Sequence, residues 1–283
     1  MPIAIVTDST SDIEPDRARA LGIDVVPLFV LWGERSYRDY VDLTRPQFYE
    51  RLASEPVLPT TSQPTPEMFA QAFAPHAAAG EAIICLVISS KLSGTINAAR
   101  SAAAQFPDAQ IRIIDSESVA GGLGMLAMRA RELAASGSTV DEIVAAIEHE
   151  KRWQRLYACI PDLSHVVRTG RIGKARAVIG TLMKIVPVIS LREGEVVAEA
   201  QVRTMSRAEE TMIDLSLKNV HDIGNARFLV MHTNAPELAD RILERVRARL
   251  GGVQPKMLGV LEAGPVIATH GGPGAVGIFC VQD

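Results

Sequence analysis

The sequence predicts an α/β protein with two domains: an N-terminal domain built on a parallel, doubly wound sheet, and a C-terminal α+β domain with a mixed sheet. Up to about residue 153, short apolar runs alternate with helix-length segments, as in parallel sheets with helices on both faces. Beyond residue 155, a hairpin pattern around Glu193-Gly194 is mixed with helices. We therefore place the two domains at 1–155 and 156–283.

The N-terminal domain is expected to begin with a strand and then to alternate. The predicted elements are, in order, a strand over 2–6, a helix over 14–21, a strand over 23–31 interrupted by Pro27, helices over 45–52 and 66–73, a strand over 85–88, a helix over 96–104, a strand over 111–114 and two helices, the first ending at 135 and the second spanning 140–154. Ser11 or Asp12 is expected to cap the first helix.

The C-terminal domain is expected to contain fewer strand-helix alternations. Its predicted elements are a strand over 156–160, a helix over 175–183, a hairpin over 185–191 and 195–202, a helix over 209–220, a strand over 227–232, a helix over 237–250, and strands over 256–262 and 277–281.

Composition excludes several classes of protein. Hydrophobic residues make up 47% of the 283 residues and charged residues 22%, so a large core is expected. A net charge of −4 gives no basic footprint for nucleic acid. No apolar run reaches the roughly 18 residues of an integral membrane segment, and no signal peptide is recognisable. The 3 cysteines are far apart, which argues against disulfides and zinc and favours the cytoplasm.

One stretch stands out as a candidate site. The apolar run that ends at Ile88 is followed by a hydroxyl-rich turn containing Ser93, Gly94 and Thr95, and then by a helix. Ligands of open α/β sheets bind at the carboxyl ends of parallel strands, and a helix N-terminus offers unpaired N–H groups to an anion. Ser and Thr are also ordinary helix caps. The stretch therefore predicts either a carboxylate or phosphate site or a cap, with equal weight.

Other polar segments could share that sheet edge. Asp8 ends the first predicted strand, and Thr61 and Ser62 lie in a segment bracketed by prolines, which is expected to be extended and stiff. The basic segment 168–174 suggests an anion or partner contact, although a solvated loop is the commoner explanation of such a segment. His270 stands in a glycine-rich turn, whose glycines are expected to leave it exposed.

Taken together, these stretches resemble the DegV family of bacterial fatty-acid-binding proteins. The matching motifs, in family order, are IVTDSTSD (5–12), TSQP (61–64), SSKLSGT (89–95), DS (115–116), GRI (170–172), VRT (202–204) and HGGPGA (270–275). They extend over essentially the whole chain. The resemblance implies one bound long-chain fatty acid, with its carboxylate near the domain junction and its tail in an apolar tunnel.

The resemblance also implies roles for particular residues. Thr61, Ser93 and His270 are expected to hold the carboxylate. The supporting pocket is expected to comprise Ser62, Gly94, Thr95, Ser116 and Gly271. Arg171 and Arg203 match family arginines that meet a separate ATP-dependent fatty acid kinase, to which some members present the acid for conversion to acyl phosphate. Family members usually have two glycines before Arg171, and Thr169 here is a departure. No cofactor of the protein itself is implied.

Energetics are consistent with such a ligand. Burial contributes about 0.8 kcal/mol per methylene, so a tail of about fourteen methylenes gives a gross ~11 kcal/mol before association costs. The head group must avoid an unsatisfied buried carboxylate, and hydroxyl and imidazole donors meet that need.

Two alternatives are left open by the residues themselves. A Ser/His acyl hydrolase would use Ser93 and His270, although Ser93 lacks a Gly-x-Ser-x-Gly elbow. A phosphate-ligand-binding protein is the second, although no phosphate-loop or dinucleotide signature is present.

Overall fold

The computed structural model describes residues 1–175, 185–218 and 220–282. It comprises two compact units. Unit 1 contains Met1–Lys151 and Gly264–Val266, and unit 2 contains Arg152–Ala263 and Ile267–Asp283. Apart from its first residue, the helix predicted at 175–183 lies outside the described residues.

Unit 1 contains seven of the described strands. They are β1 (Ile3–Asp8), β2 (Ile23–Val26), β3 (Phe29–Trp32), β4 (Arg35–Arg38), β5 (Thr60–Ser62), β6 (Ala82–Val87) and β7 (Ile111–Asp115). Its helices are α1 (Pro15–Leu21), α2 (Arg45–Ser54), α3 (Pro66–Ala78), α4 (Thr95–Ala103), α5 (Ala120–Ala135) and α6 (Val140–Trp153), whose last two residues belong to unit 2.

The main sheet of unit 1 is parallel, with strand order β2-β1-β6-β7. One of its faces packs against apolar residues of α1, α5 and α6, and the other against α3 and α4. Strand β6 is buried along its whole length, as expected of a central strand covered on both faces. The predicted doubly wound parallel sheet is confirmed.

The single strand predicted over 23–31 is wrong. The chain forms β2, turns at Pro27 and Leu28, and forms β3 in a separate antiparallel sheet of order β4-β3-β5. Pro27 has no N–H to donate, so a continuous ladder through this position would lose a hydrogen bond. The amide of Leu28 instead donates to Ser9 Oγ at 3.0 Å.

Two contacts join distant segments of unit 1, one of them polar and the other a close approach of two backbones. The ring of His76, near the end of α3, lies with Nε2 2.6 Å from Asp24 Oδ2 and Nδ1 2.6 Å from Glu81 Oε2. Inside α5, Gly124 lies against the backbone carbonyl of Ser11, leaving no room there for a Cβ.

The predicted cap of the first helix is wrong. Glu14, and not Ser11 or Asp12, occupies the N-cap position of α1.

Unit 2 contains the remaining described elements. Its strands are β8 (Arg155–Cys159), β9 (Val186–Arg192), β10 (Glu195–Val202), β11 (Ala226–His232), β12 (Met257–Glu262) and β13 (Val276–Gln282). Its helices are α7 (Ser164–Arg168), α8 (Met205–Lys218), α9 (Pro236–Arg249) and α10 (Pro265–Gly271), whose first two residues belong to unit 1. Helix α10 was not predicted.

The sheet of unit 2 is mixed, in the order β10-β9-β8-β13-β11-β12, with β11 and β12 parallel and the other pairs antiparallel. The predicted α+β character is confirmed. One face carries Tyr157, Phe228 and Ile278 and packs against α8 and α9. Because side chains alternate along a strand, a second apolar face is formed by Leu156, Ile189, Leu229, Met231, Phe279 and Val281.

Candidate functional site

Asp8 joins the carboxyl ends of two neighbouring parallel strands in unit 1. Its Oδ2 atom accepts a hydrogen bond from the amide of Ile88 at 2.8 Å, and its Oδ1 atom accepts one from the amide of Thr10 at 2.9 Å. Burial raises the pKa of Asp8 to about 6, although these hydrogen bonds oppose the rise. Asp8 therefore stabilises the sheet edge from which the hydroxyl-rich turn leaves.

That turn contains Ser93 and Thr95 at the start of α4. Their hydroxyl oxygens are 2.9 Å apart, and Ser93 Oγ accepts a longer hydrogen bond of 3.4 Å from the amide of Thr95. Thr95 is buried, whereas Ser93 is partly exposed. Since either hydroxyl can be the donor in this pair, Ser93 can support the helix start and still offer its proton to a ligand.

The segment Thr60–Gln63 lies beside the same turn. Thr61 and Ser62 lie opposite Val30 and Phe29 in the β5-β3 pair, which gives the extended backbone that the flanking prolines predict. The side chain of Gln63 occupies the space that a Cβ on Gly94 would need. A glycine at 94 is thus what allows the two hydroxyl-bearing segments to approach each other.

Ser116 stabilises the loop that follows β7. It is buried, its hydroxyl donates to the carbonyl of Ser118 at 3.2 Å, and the amide of Ser118 donates back to Ser116 Oγ at 3.1 Å. Nearby, Asp115 accepts hydrogen bonds from the amides of Ser90 and Glu117 at 3.2 and 3.0 Å. These contacts shape the loops that follow β6 and β7.

In unit 2, His270 lies in the last turn of α10. Its Nδ1 atom is buried and the residue is only partly exposed, so the expectation of an exposed histidine is wrong. Burial, together with the positive charges of Arg171 and Arg168, lowers the pKa of His270 to about 3. The imidazole is therefore neutral at physiological pH, with one ring nitrogen carrying a proton that can be donated.

The loop after His270 is tightly held. Thr233, at the end of β11, is hydrogen-bonded to residues 272, 274 and 275 of this loop. Gly271 lies against Thr233 and Ala275, at the distance at which a Cβ would make ordinary contacts. Gly272 has a φ of 69° and lies against the ring of His165.

Arg171 and Arg203 lie in different surroundings. Arg171 follows α7, donates to the carbonyl of Thr169 at 2.6 Å and is close enough to His270 for its charge to act on the ring. Arg203 is exposed in the turn between β10 and α8. The structure thus brings Arg171 and His270 together in unit 2.

A group of buried carboxylates in unit 1 was missed by sequence reasoning. Asp12 Oδ1 accepts hydrogen bonds from Tyr40 Oη at 3.1 Å and from the amide of Gly264 at 2.9 Å. Burial raises the pKa of Asp12 to about 7 and raises that of Asp39 well above its usual range. Asp12 stands in a recognisable motif, but the separation of 252 residues from Gly264 leaves no local signal of this contact.

The described residues contain neither a metal-binding cluster nor a membrane-spanning helix. Within residues 1–175, 185–218 and 220–282, no three His, Cys, Asp or Glu side chains are grouped so that they could hold a metal ion. No helix in the same ranges is both long and apolar enough to cross a bilayer.

Fold and site define a class of protein: a two-unit α/β protein with a hydroxyl-rich strand-to-helix turn in one unit and a neutral histidine beside arginines in the other. More particularly, the chain belongs to the DegV family, since the model of that family of uncharacterised proteins matches residues 2–283. A DegV domain-containing protein of Deinococcus radiodurans is 38% identical over 278 residues, which is 98% of each chain.

Solved structures of similar proteins agree with this assignment. A fatty-acid-binding DegV family protein from Thermus thermophilus has a TM-score of 0.92 and 33% identity, with 100% of both chains covered. DegV from Bacillus subtilis, described as a fatty acid binding protein, has a TM-score of 0.91 and 31% identity, again over 100% of both chains. A stearic-acid-binding protein from Eubacterium ventriosum has a TM-score of 0.91 and 25% identity, covering 100% of this chain and 98% of its own.

Proposed function

We propose that this protein binds one long-chain fatty acid and acts as a carrier rather than as a catalyst. The observation that carries the proposal is its likeness, over the full length, to a fatty-acid-binding protein with 33% identity and a TM-score of 0.92. The absence of a Gly-x-Ser-x-Gly elbow around Ser93 argues against an acyl hydrolase.

The carboxylate is proposed to be held by Thr61, Ser93 and His270. Two hydroxyls and a neutral imidazole can each donate one hydrogen bond to it, which meets the demand that a buried carboxylate be paired. Gly94 supports this arrangement by letting Gln63 lie close to the turn, and Thr95 by orienting the hydroxyl of Ser93. Ser62, Ser116 and Gly271 are proposed to maintain the surrounding backbone.

The tail is proposed to lie against the second apolar face of the unit 2 sheet. That face carries Leu229, Met231 and Phe279, whereas α8 and α9 pack against the opposite face. A tail of palmitate length would contribute a gross ~11 kcal/mol there, enough to supply the affinity before association costs.

Arg171 and Arg203 are proposed to contact a separate fatty acid kinase when the bound fatty acid is presented to it. Guanidinium groups pair with phosphate oxygens in a bidentate manner, and Arg171 lies near His270, where the head group would be phosphorylated. Since such a kinase consumes ATP, we place the encounter in the cytoplasm. Arg171→Ala should leave lipid content unchanged and abolish acyl phosphate formation in a mixture with such a kinase.

Native mass spectrometry of freshly purified protein, followed by solvent extraction, tests the proposal. One fatty acid per chain is expected, and its mass defines tail length and unsaturation. The matched variants Ser93→Ala and His270→Gln should lose most of it. A clean ligand-free mass, together with failure to bind added palmitate after delipidation, would contradict the carrier function.

A further inference from the structure

The loop that follows His270 makes several hydrogen bonds with Thr233. Thr233 is 4% exposed and lies where β11 ends beside the start of β13. Its amide donates to the carbonyl of Ala275 at 3.0 Å, and its carbonyl accepts from the amide of Gly274 at 2.7 Å. Its hydroxyl donates to the carbonyl of Gly272 and accepts from the amide of Ala275 at 2.9 Å.

We propose that Thr233 is the positioning residue that fixes the imidazole of His270 for the head group. This inference rests on the proposed function. His270 is followed by Gly271 and Gly272, and φ is 69° at Gly272 and 83° at Gly274. Glycines give such a segment many accessible conformations, so its geometry must be imposed by contacts with other parts of the chain.

A hydroxyl is suited to this task because it donates and accepts at once. The single oxygen of Thr233 pairs a carbonyl at one end of the loop and an amide at the other, which sets the distance between them. Valine has the same shape but would leave both backbone groups without these partners in a buried place. Serine would retain both hydrogen bonds and lose only a methyl group.

His165 bounds the loop on another side. A Cβ on Gly272 would come within 2.6 Å of the Cδ2 atom of His165. His165 is buried and is the second residue of α7. The loop is therefore held by hydrogen bonds to Thr233 and by packing against His165, and the hydroxyl is the part that a conservative substitution can remove.

The test compares Thr233→Val, Thr233→Ser and a matched control, Ser216→Ala. Ser216 is also fully buried in unit 2, and its hydroxyl donates to the carbonyl of Met212 within α8. Palmitate affinity of delipidated protein is measured by titration calorimetry. Separately, the ring resonances of His270 are recorded without lipid in histidine-labelled protein, and assigned with His270→Gln.

Thr233→Val is expected to weaken palmitate binding about tenfold or more and to shift the His270 resonances. Thr233→Ser and Ser216→Ala are expected to stay within about twofold of the wild type and to keep its resonances. Wild-type affinity and resonances in Thr233→Val would overturn the proposal. A tenfold loss in Thr233→Ser would overturn it even if Thr233→Val fails to fold.

Failure of the proposed function gives a different result. A wild-type protein that binds no palmitate would refute fatty acid carriage. The His270 resonances would still decide whether the hydroxyl of Thr233 positions the ring, because that measurement uses no lipid.

Discussion

Ser93 and Ser9 offer a test that separates ligand binding from folding within one unit. Ser9 is buried and its Oγ atom accepts the hydrogen bond of the Leu28 amide at 3.0 Å. Ser9→Ala leaves that buried amide without this partner, which should cost about 1–3 kcal/mol of unfolding free energy. Ser93 is partly exposed, shares a 2.9 Å hydrogen bond with the Thr95 hydroxyl and accepts a long one of 3.4 Å from the Thr95 amide. Because water can replace these partners at a partly exposed site, Ser93→Ala should cost about 0.5–1 kcal/mol.

The expected losses of lipid are in the opposite order. Removing a hydrogen bond to a charged carboxylate costs about 1.5–3 kcal/mol, so Ser93→Ala should weaken palmitate binding roughly 10- to 150-fold. Ser9→Ala, which does not remove a proposed head-group donor, should remain within about threefold of the wild type.

Calorimetry of delipidated protein measures affinity, and denaturant unfolding followed by tryptophan fluorescence measures stability. Trp32 is buried in unit 1, whereas Trp153 is exposed and belongs to unit 2. A Trp153→Phe background therefore restricts the signal to the unit that contains both serines. Equal affinity loss in the two variants would refute the assignment of Ser93, and an unchanged stability in Ser9→Ala would refute the account of Leu28.

Three further predictions concern glycines and titrating groups of unit 1. Gly94→Ala should lower palmitate affinity with little change in stability, since only the side chain of Gln63 must move. Gly124→Ala should cost about 1–3 kcal/mol in denaturant unfolding, since the backbone carbonyl of Ser11 occupies the space of the new Cβ. The wild type should lose stability as pH rises from about 4 to 7, and Asp12→Asn should make this loss smaller. The control Asp42→Asn removes an exposed carboxylate whose pKa is lowered by Arg38, and it should keep the wild-type slope. Equal slopes of stability against pH in the two variants would contradict this prediction. Partial burial lowers the pKa of His76, but the carboxylates of Asp24 and Glu81 outweigh it and raise that pKa overall. The stabilisation by protonated His76 is therefore complete below about pH 6.5 and lost above the folded-state pKa, and His76→Gln should remove that loss from thermal unfolding curves.

The sequence predicts the strand-helix alternation well because it is a local pattern. Apolar runs at 85–88 and 111–114 have the length of buried strands, and the structure contains β6 and β7 there. Pro27 marks the break between β2 and β3, but the sheet that β3 joins has no such local signal. Its partners, Arg35–Arg38 and Thr60–Ser62, are polar, so nothing in the apolar run 23–31 indicates which sheet it joins.

The candidate site residues also differ in whether a local sequence pattern reveals them. Ser93 and Thr95 are recognisable because a hydroxyl turn between a strand and a helix is a contiguous motif, and the two side chains are hydrogen-bonded. Thr233 gives no comparable signal, because its partners are backbone atoms about 40 residues further along the chain.

The buried titrating groups of the two units oppose each other in their response to pH. Asp12 has a folded-state pKa of about 7, so between about pH 4 and 7 the native state binds a proton that the unfolded chain has lost, and unit 1 loses stability as pH rises. His270 has a folded-state pKa of about 3, so below about pH 6.5 the unfolded chain binds the extra proton, and unit 2 loses stability as pH falls. The same lowering leaves the imidazole neutral at physiological pH, so a carboxylate bound at His270 as proposed would meet a hydrogen-bond donor there. Under the proposed carrier function, a carboxylate held by hydroxyl and imidazole donors would be released or phosphorylated by exchanging hydrogen bonds, which suits a ligand that must be passed on.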